Sequence, residues 1–260
     1  ITIWMKTMNI IPMKNITLMR ITVLTLFPEM YESFLSTSII GRALKRELVT
    51  VDFVQIRDFA LDKFKHVDDS PFGGGMGQVM KCQPVLDALN SVKTENSYSI
   101  MMSPLGKTLT QKKSRELAKK DHLILLCGHY EGLDARINDH CDELLSIGDY
   151  VLTGGEIASM VVMDSVIRLL EGSISEGSTD DESFENGLLE YPQYTQPRDY
   201  NGQEVPAVLL SGNHAKIKEW RIAKSLLMTQ QLRPDLYEKH ILSDEEKKVL
   251  KKLQHGKIEL

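Results

Sequence analysis

The stretch H-L-I-L-L-C-G-H-Y-E-G fills residues 122–132 and decides the fold class. Its first six residues form a short apolar run, which is typical of a strand buried on both faces. A loop with two glycines, an aromatic ring and a carboxylate follows at the carboxyl end of that strand. Ligands of open parallel sheets bind at this edge. The stretch leaves one alternative open, a tight turn with an exposed Glu131 and a packed Tyr130.

Outward from this stretch, strand-like and helix-like segments alternate along the chain. Short β-branched or apolar runs predict further strands at residues 19–27, 51–56 and 99–102. Helical spacing of apolar residues predicts helices at residues 28–49, 84–92, 110–120 and 157–170. Gly41 is expected to break the first helix, and Thr110 to cap the third. The alternation predicts an α/β domain whose parallel sheet carries helices on both faces.

Composition and periodicity predict four segments along the chain. Residues 1–18 precede the first strand and are interrupted by polar residues, so we expect an extension outside the fold. Residues 19–175 hold the α/β pattern. The acidic residues 176–190 lack periodic apolar positions, which predicts an interdomain linker. Residues 191–260 are expected to form a small α-helical domain.

Helix signals mark this C-terminal segment. Asn213 is placed to cap a helix that runs to about Gln230, and Pro234 opens another helix. Ser243 and Glu246 have the spacing of a capping box for the last helix.

Composition limits the class of protein. The 260 residues are 42% hydrophobic and 26% charged, the usage of an ordinary globular chain. Cys82, Cys127 and Cys141 are odd in number and lack C-x-x-C spacing, which favours neither a disulfide frame nor a zinc site and points to the reducing cytoplasm. No apolar run approaches the roughly 20 residues that a membrane helix needs. We therefore expect a cytoplasmic protein without a membrane partner.

Charge is distributed unevenly along the chain. The formal net charge is -5, yet residues 205–260 carry 11 basic and 7 acidic side chains. A local basic surface matters more to a polyanion than the total charge does. The C-terminal segment is therefore the part in which a nucleic-acid contact is expected.

Two further glycine-rich segments are candidate ligand loops. Residues 147–156, I-G-D-Y-V-L-T-G-G-E, place three glycines around an apolar tripeptide, so that a flat ring can approach the main chain closely. A bulged strand that leads into a helix is the alternative for this segment. Residues 73–77 match neither dinucleotide-binding nor phosphate-loop spacing, and their spacing alone favours a flexible turn.

Five motifs in order carry a family resemblance. They are S-P-L-G-K at residues 103–107, C-G-H-Y-E-G-L-D-A-R at 127–136, S-I-G-D-Y-V-L-T-G-G-E at 146–156, E-Y-P-Q-Y-T at 190–195 and L-L-S-G-N-H at 209–214. Together they resemble the bacterial tRNA (guanine-N1)-methyltransferases, the TrmD family. The similarity begins at Met19 and continues into the C-terminal helices.

The resemblance implies a SPOUT-type parallel sheet with a deep trefoil knot, S-adenosylmethionine bound inside it, and a homodimer whose active sites are shared between chains. The methyl group would go to N1 of the guanosine 3' to the anticodon, position 37 of tRNA. The resemblance leaves open whether magnesium assists. The implied cofactor-binding residues are Met102, Ser103, Pro104, Gly128, Tyr130, Glu131, Gly132, Ile147, Gly148, Asp149, Tyr150, Val151, Leu152, Gly154 and Gly155.

Methylation at N1 of guanine requires a base, because N1 holds a proton at neutral pH. It also benefits from a cation near O6, where negative charge develops. The resemblance assigns the cation to Arg168. It assigns the base to the position of Glu182, where the family typically has aspartate, and Asp181 is the alternative. Without the resemblance, Arg168 would be interpreted as a cation at a helix end and the carboxylates as a solvated linker.

The implied tRNA contacts are Gly74, Gly75, Ser211, Asn213, His214, Lys218 and Arg221. Lys218, Arg221 and Lys224 are spaced by three and would present a basic stripe beside Trp220, although a solvated helix face fits the same spacing. Gln196 departs from the family, which commonly has arginine there, and puts one RNA contact in doubt.

Three other functions are compatible with parts of the pattern. They are a SPOUT methyltransferase acting on another RNA nucleotide, a non-catalytic RNA-binding or cofactor-sensing module, and a nicotinamide-dependent dehydrogenase. The last lacks the glycine fingerprint that such enzymes require.

Overall fold

The computed structural model describes residues 18–175 and 181–258. Most of the expected extension and the first part of the expected linker, residues 176–180, lie outside the described residues. The chain divides into two compact units between Glu176 and Gly177. Each unit is described by itself.

The N-terminal unit is built on a parallel sheet. Its strands are β1 (Met19–Thr25), β2 (Val49–Gln55), β3 (Asp68–Asp69), β4 (Val79–Met80), β5 (Ser97–Thr108), β6 (His122–Leu126) and β7 (Glu143–Ser146). Five of them form one sheet in the order β2-β1-β6-β5-β7, and every pair in it is parallel. The short strands β3 and β4 pair antiparallel with each other. The predicted parallel α/β architecture is confirmed.

The helices of this unit are α1 (Glu32–Ser36), α2 (Ser38–Lys45), α3 (Cys82–Val92), α4 (Gln111–Leu117) and α5 (Glu156–Ile167). Three 3-10 helices span Pro28–Tyr31, Ile56–Phe59 and Ala135–His140. Thr110 caps α4 as predicted, because its side chain accepts a hydrogen bond from the backbone N–H of Lys113.

Successive side chains of a strand point to opposite faces of the sheet, and two hydrophobic cores form, one on each face. In β6, Leu123 and Leu125 pack into a core with α2, α4 and α5, and Ile124 and Leu126 pack into a second core with α3. All five residues of β6 are buried. This central strand is thus covered on both sides, which explains why its residues after His122 form an uninterrupted apolar run.

The predicted break at Gly41 is wrong. The helical stretch is interrupted instead at Thr37, and Gly41 lies inside α2. A Cβ atom at Gly41 would stand 2.7 Å from the backbone carbonyl of Ser36. Glycine is required here for the close approach of two helical segments. Gly41 is therefore explained by packing and does not end the helix.

Two strands of the sheet also differ from prediction. Strand β5 extends beyond the predicted residues 99–102 to Thr108, with a register shift against β7 between Met102 and Lys107. Strand β7 was not predicted, because four residues carry too short a pattern to distinguish a strand from a loop.

The C-terminal unit is mainly helical, with a two-stranded hairpin of β8 (Asp199–Tyr200) and β9 (Gln203–Glu204). Its helices are α6 (Ala207–Leu210), α7 (His214–Leu232), α8 (Pro234–Tyr237) and α9 (Asp244–Gln254). The predicted caps are confirmed: Asn213 accepts from the N–H of Lys216, and Ser243 and Glu246 form the capping box. Among the residues described in both units, none of the helices combines the length and apolarity needed to cross a membrane.

Candidate functional site

A cavity of about 460 Å³ opens at the carboxyl edge of the sheet, beside the ends of β5, β6 and β7. Residues of the motifs at 103–107, 127–136 and 146–156 contribute to its wall, whereas none of residues 73–77 lines it. The lining residues are Met101, Met102, Ser103, Pro104, Leu105, Gly128, His129, Tyr130, Glu131, Gly132, Leu133, Ala135, Asn138, Leu145, Ser146, Ile147, Gly148, Tyr150, Val151, Leu152, Thr153, Gly154, Gly155 and Ala158. The set includes every predicted cofactor-binding residue except Asp149.

The first wall comes from the irregular part of β5. Gly106 lies against the backbone of Leu144 in β7, where a Cβ atom would overlap it. Ser103 accepts a hydrogen bond from the N–H of Leu105 at 3.2 Å, which bends the strand locally. This bulge turns residues 103–105 toward the cavity.

The second wall, residues 128–132, is hydrogen-bonded to residues 78–80, the segment that ends in β4. The N–H of Glu131 donates to the carbonyl of Gln78 at 3.0 Å, and that of Met80 donates to Gly132 at 2.9 Å. The backbone φ of Tyr130 is +60°, a value that residues other than glycine rarely adopt. These two hydrogen bonds involve the residues that follow Tyr130, and backbone strain of this kind is common at ligand sites.

The third wall follows β7. The hydroxyl of Ser146 donates to the carbonyl of Gly148 and accepts from its N–H, both at 3.1 Å. The segment then returns to the end of β6, where the N–H of Gly155 donates to the carbonyl of Gly128 at 2.8 Å. A Cβ atom at Gly155 would lie 2.8 Å from Cα of Cys127, so only glycine allows this approach.

The lining combines apolar walls with a few polar groups. Leu133, Leu145, Ile147 and Leu152 supply apolar surface, and Glu131 brings a carboxylate. Such a mixture suits a small organic ligand with a flat ring and a cationic group. In the two described ranges, no group of three or more His, Cys, Asp or Glu side chains is arranged to hold a metal ion.

A buried polar cluster lies behind the second and third walls. The hydroxyl of Tyr31 stands 2.6 Å from the Ser159 hydroxyl and 3.4 Å from the Cys127 sulfur. Burial raises the pKa of the Cys127 thiol to about 12 and also raises the pKa of Tyr31. A raised pKa disfavours the thiolate form of Cys127, which is the nucleophilic form of cysteine.

The remaining predicted residues of the N-terminal unit lie outside the cavity lining. Asp149 is exposed between lining residues. Arg168 caps the C-terminal end of α5 and is half-buried. Gly74 and Gly75 are exposed at φ values of +82° and +135°. Gly77 of the same loop lies against the side chain of Glu131, which connects the glycine-rich loop to the cavity wall.

Asp181 and Glu182 belong to the C-terminal unit. They lie in turns that lack helix or strand, as the linker pattern suggested for residues 181–190. Asp181 is exposed and accepts a hydrogen bond from the Tyr191 hydroxyl at 3.4 Å. Glu182 is half-buried.

The predicted RNA contacts of this unit cluster around α7. Ser211, Asn213 and His214 are exposed at its N-terminal end. The three cations expected to form a stripe have different partners: Lys218 pairs with Glu245 at 2.6 Å, Arg221 packs on the Tyr191 ring, and Lys224 lies over Trp220. These three side chains therefore do not form a uniform basic stripe.

A profile of the family described as tRNA (guanine-1)-methyltransferase TrmD matches residues 19–239. The chain belongs to the TrmD family.

Curated relatives of this TrmD family member align with its sequence over nearly their whole length. A tRNA (guanine-N(1)-)-methyltransferase of Ruminiclostridium cellulolyticum is 58% identical over 226 residues, 85% of this chain and 97% of the relative. One of Clostridium botulinum strain Langeland is 54% identical over 235 residues, 90% and 98% of the two chains. A third relative, from Carboxydothermus hydrogenoformans, is 50% identical over 234 residues, which are 89% of this chain and 92% of the relative.

Several cavity residues of this TrmD family member were absent from the predicted cofactor-binding set. Leu133, Ala135 and Asn138 reach the cavity from the turn and 3-10 helix after the second wall. Leu145 and Ser146 come from the unpredicted β7. The apolar pair Leu144 and Leu145, separated from I-G-D by Ser146, was the one available hint of that strand.

We predict that Gly155→Ala weakens binding of S-adenosylmethionine. The new methyl group meets backbone rather than a movable side chain, so the third wall must shift away from Gly128. The expected loss is roughly tenfold in affinity, about 1.4 kcal/mol, measured by isothermal titration calorimetry. Glu95→Ala, at an exposed position outside the lining, serves as the control. Wild-type affinity in a folded Gly155→Ala protein would contradict the role given to this contact.

Proposed function

We propose that this chain transfers the methyl group of S-adenosylmethionine to N1 of guanosine 37, the nucleotide 3' to the anticodon of tRNA. The observation that carries the proposal is the three-walled cavity at the sheet edge in a chain of the TrmD family. Its relatives are named for methyl transfer to guanine N1 of tRNA. Three free cysteines suit the reducing cytoplasm, where we place the reaction.

The cavity fits the proposed cofactor in size and chemistry. Its volume lies within the roughly 300–1,000 Å³ of small-molecule sites. Apolar side chains such as Ile147 and Leu152 would enclose the adenine ring, and glycine backbone would offer hydrogen bonds to its edge. The Glu131 carboxylate would favour the cationic end. When bound, S-adenosylmethionine supplies an electrophilic methyl group.

Two side chains of this chain would perform the remaining chemistry. The carboxylate of Glu182, or of its neighbour Asp181, accepts the N1 proton of guanine, which frees the N1 lone pair for attack on the methyl carbon. With S-adenosylmethionine bound, the electron pair of the broken sulfur–carbon bond would remain on its sulfur. The guanidinium of Arg168 stabilises the negative charge that develops on O6.

A SPOUT-type knot is part of the proposal. The course of the third wall supports it: the chain leaves the edge strand β7 and returns to the end of β6, with β5 between these strands in the sheet. Helix α5 then packs in the core with α2 and α4. Such a crossing is the kind of connection from which a knot is made.

A homodimer with shared active sites is also proposed. Helix α5 is rich in apolar residues that are not confined to one face, which is unusual for a helix at the surface of a unit. Its exposed Asp164 follows Val161 on the same side of the helix. Ile157 and Val161 are spaced by four on one side of it and are exposed. A second copy of the chain would cover this apolar face.

The C-terminal unit is proposed as the tRNA-binding domain. The N-terminal end of α7 presents backbone N–H groups together with the exposed His214 and Lys216. Cations in the first turn of a helix oppose the helix dipole, but they favour a phosphate ligand. This end of α7 is therefore suited to the RNA backbone.

We predict that Arg168→Ala and Glu182→Ala each lower the rate of methyl transfer by about 100-fold or more. The measurement is single-turnover transfer of labelled methyl to a tRNA with guanosines at positions 36 and 37, followed by mapping of the methylated nucleotide. Cofactor affinity should stay within about twofold, because neither residue lines the cavity.

Glu171→Ala removes an exposed acid near the end of α5 and is the matched control. Asp181→Ala decides between the two candidate bases, since only the true base causes the large loss. Unchanged transfer in both Arg168→Ala and Glu182→Ala would refute the assignment. Methylation of a different nucleotide would favour the alternative of another SPOUT specificity, and cofactor binding without transfer would favour a cofactor-sensing module.

We further predict that mixing the inactive Arg168→Ala and Glu182→Ala proteins restores activity. If each site takes the arginine from one chain and the carboxylate from the other, a mixed dimer has one intact site. After subunit exchange, about a quarter of the wild-type rate should return, as statistics for a twofold dimer require. Activity that stays at the level of the separate variants would show that both groups act within one chain.

A further inference from the structure

Glu156 is a buried carboxylate directly behind the cavity wall. It is the first residue of α5 and is only 2% exposed. The hydroxyl of Thr25, at the end of β1, donates to its Oε1 at 2.7 Å. A buried carboxylate is costly unless it is paired and hydrogen-bonded. The N-terminal end of α5 and one hydroxyl offset part of that cost, and the other oxygen points elsewhere.

That second oxygen, Oε2, faces the imidazole of His129 across 3.9 Å. His129 lines the cavity and its side chain is 27% exposed, yet its Nδ1 is buried without a hydrogen bond. The ring lies between Phe27, at 4.8 Å between ring centroids, and Tyr130, at 5.4 Å. His129 thus turns Nδ1 toward the buried acid while its exposed part belongs to the cavity wall.

Gly154 keeps the space between the two groups open. A Cβ atom there would stand 2.6 Å from His129 Nδ1 and would also overlap Glu156 Oε2. Any other residue would insert a methyl group between the carboxylate and the ring. The third wall therefore provides a glycine at the place where acid and imidazole approach each other.

We propose that Glu156 is a positioning residue for the cofactor cavity. Its carboxylate, fixed by Thr25, orients His129 through Nδ1 and so holds residues 128–132 in the conformation that binds S-adenosylmethionine. The ring transmits this constraint to Tyr130, whose strained backbone needs external support. The inference rests on the proposed function for the identity of the ligand.

The test is Glu156→Gln, which keeps an acceptor for the Thr25 hydroxyl and removes the charge that faces His129. We expect the dissociation constant of S-adenosylmethionine, measured by calorimetry, to rise about tenfold or more. The rate constant of transfer at saturating cofactor should change less than about threefold. In histidine-selective 15N spectra, the imidazole signals of His129 should shift, because the group that faces Nδ1 across 3.9 Å is changed.

Paired variants separate positioning from general stability. Thr25→Val should weaken cofactor binding in the same way, and Thr25→Ser, which retains the hydroxyl, should restore it. Glu246→Gln is the matched control. Glu246 is also a buried acid beside a histidine, 3.0 Å from His240, but it lies in the C-terminal unit and outside the cavity lining. It should alter stability without altering cofactor affinity.

Two results would overturn the inference: an unchanged dissociation constant in Glu156→Gln, or His129 signals identical to those of the wild type. These outcomes are distinct from failure of the proposed function. A wild-type protein that binds S-adenosylmethionine but methylates no tRNA would remove the function and leave the role of Glu156 in binding intact.

Discussion

The cavity depends on one close backbone contact, at which Gly155 lies against Cys127 and donates a hydrogen bond to the carbonyl of Gly128. This contact brings the segment after the edge strand β7 back to the end of the central strand β6. Without it, the second and third walls would separate and the cavity would open to solvent. The absence of a Cβ at Gly155 thus allows the second and third walls to meet.

Much of the sheet could be predicted, because the signals were local. The run of residues 122–127 predicted a buried strand, and β6 spans His122–Leu126. Thr110, Asn213 and Ser243 cap helices in the structure as their side chains predicted. The interruption of the first helical stretch could not be placed, since it depends on how Gly41 packs against Ser36. Strands of two to four residues, such as β7, carry too little pattern.

The site was predictable in outline for a related reason. Glycine-rich loops after parallel strands share an edge of the sheet, so residues 128–132 and 147–155 had to lie near each other. Asp149 was included with its neighbours, but it is exposed and outside the lining. The roles of Arg168 and Glu182 came from family resemblance, because a cation at a helix end and an acid in a turn have no local signature. The Glu156 and His129 pair was missed, since it joins segments distant in sequence.

Hydrogen exchange in the presence of S-adenosylhomocysteine, the product of the proposed reaction, tests the central claim most directly. If the three walls close around one ligand, amide exchange should slow together in residues 102–105, 128–132 and 147–155. Amides at the opposite, amino-terminal ends of the strands should exchange as before. Unchanged exchange in all three segments at saturating ligand would contradict the account.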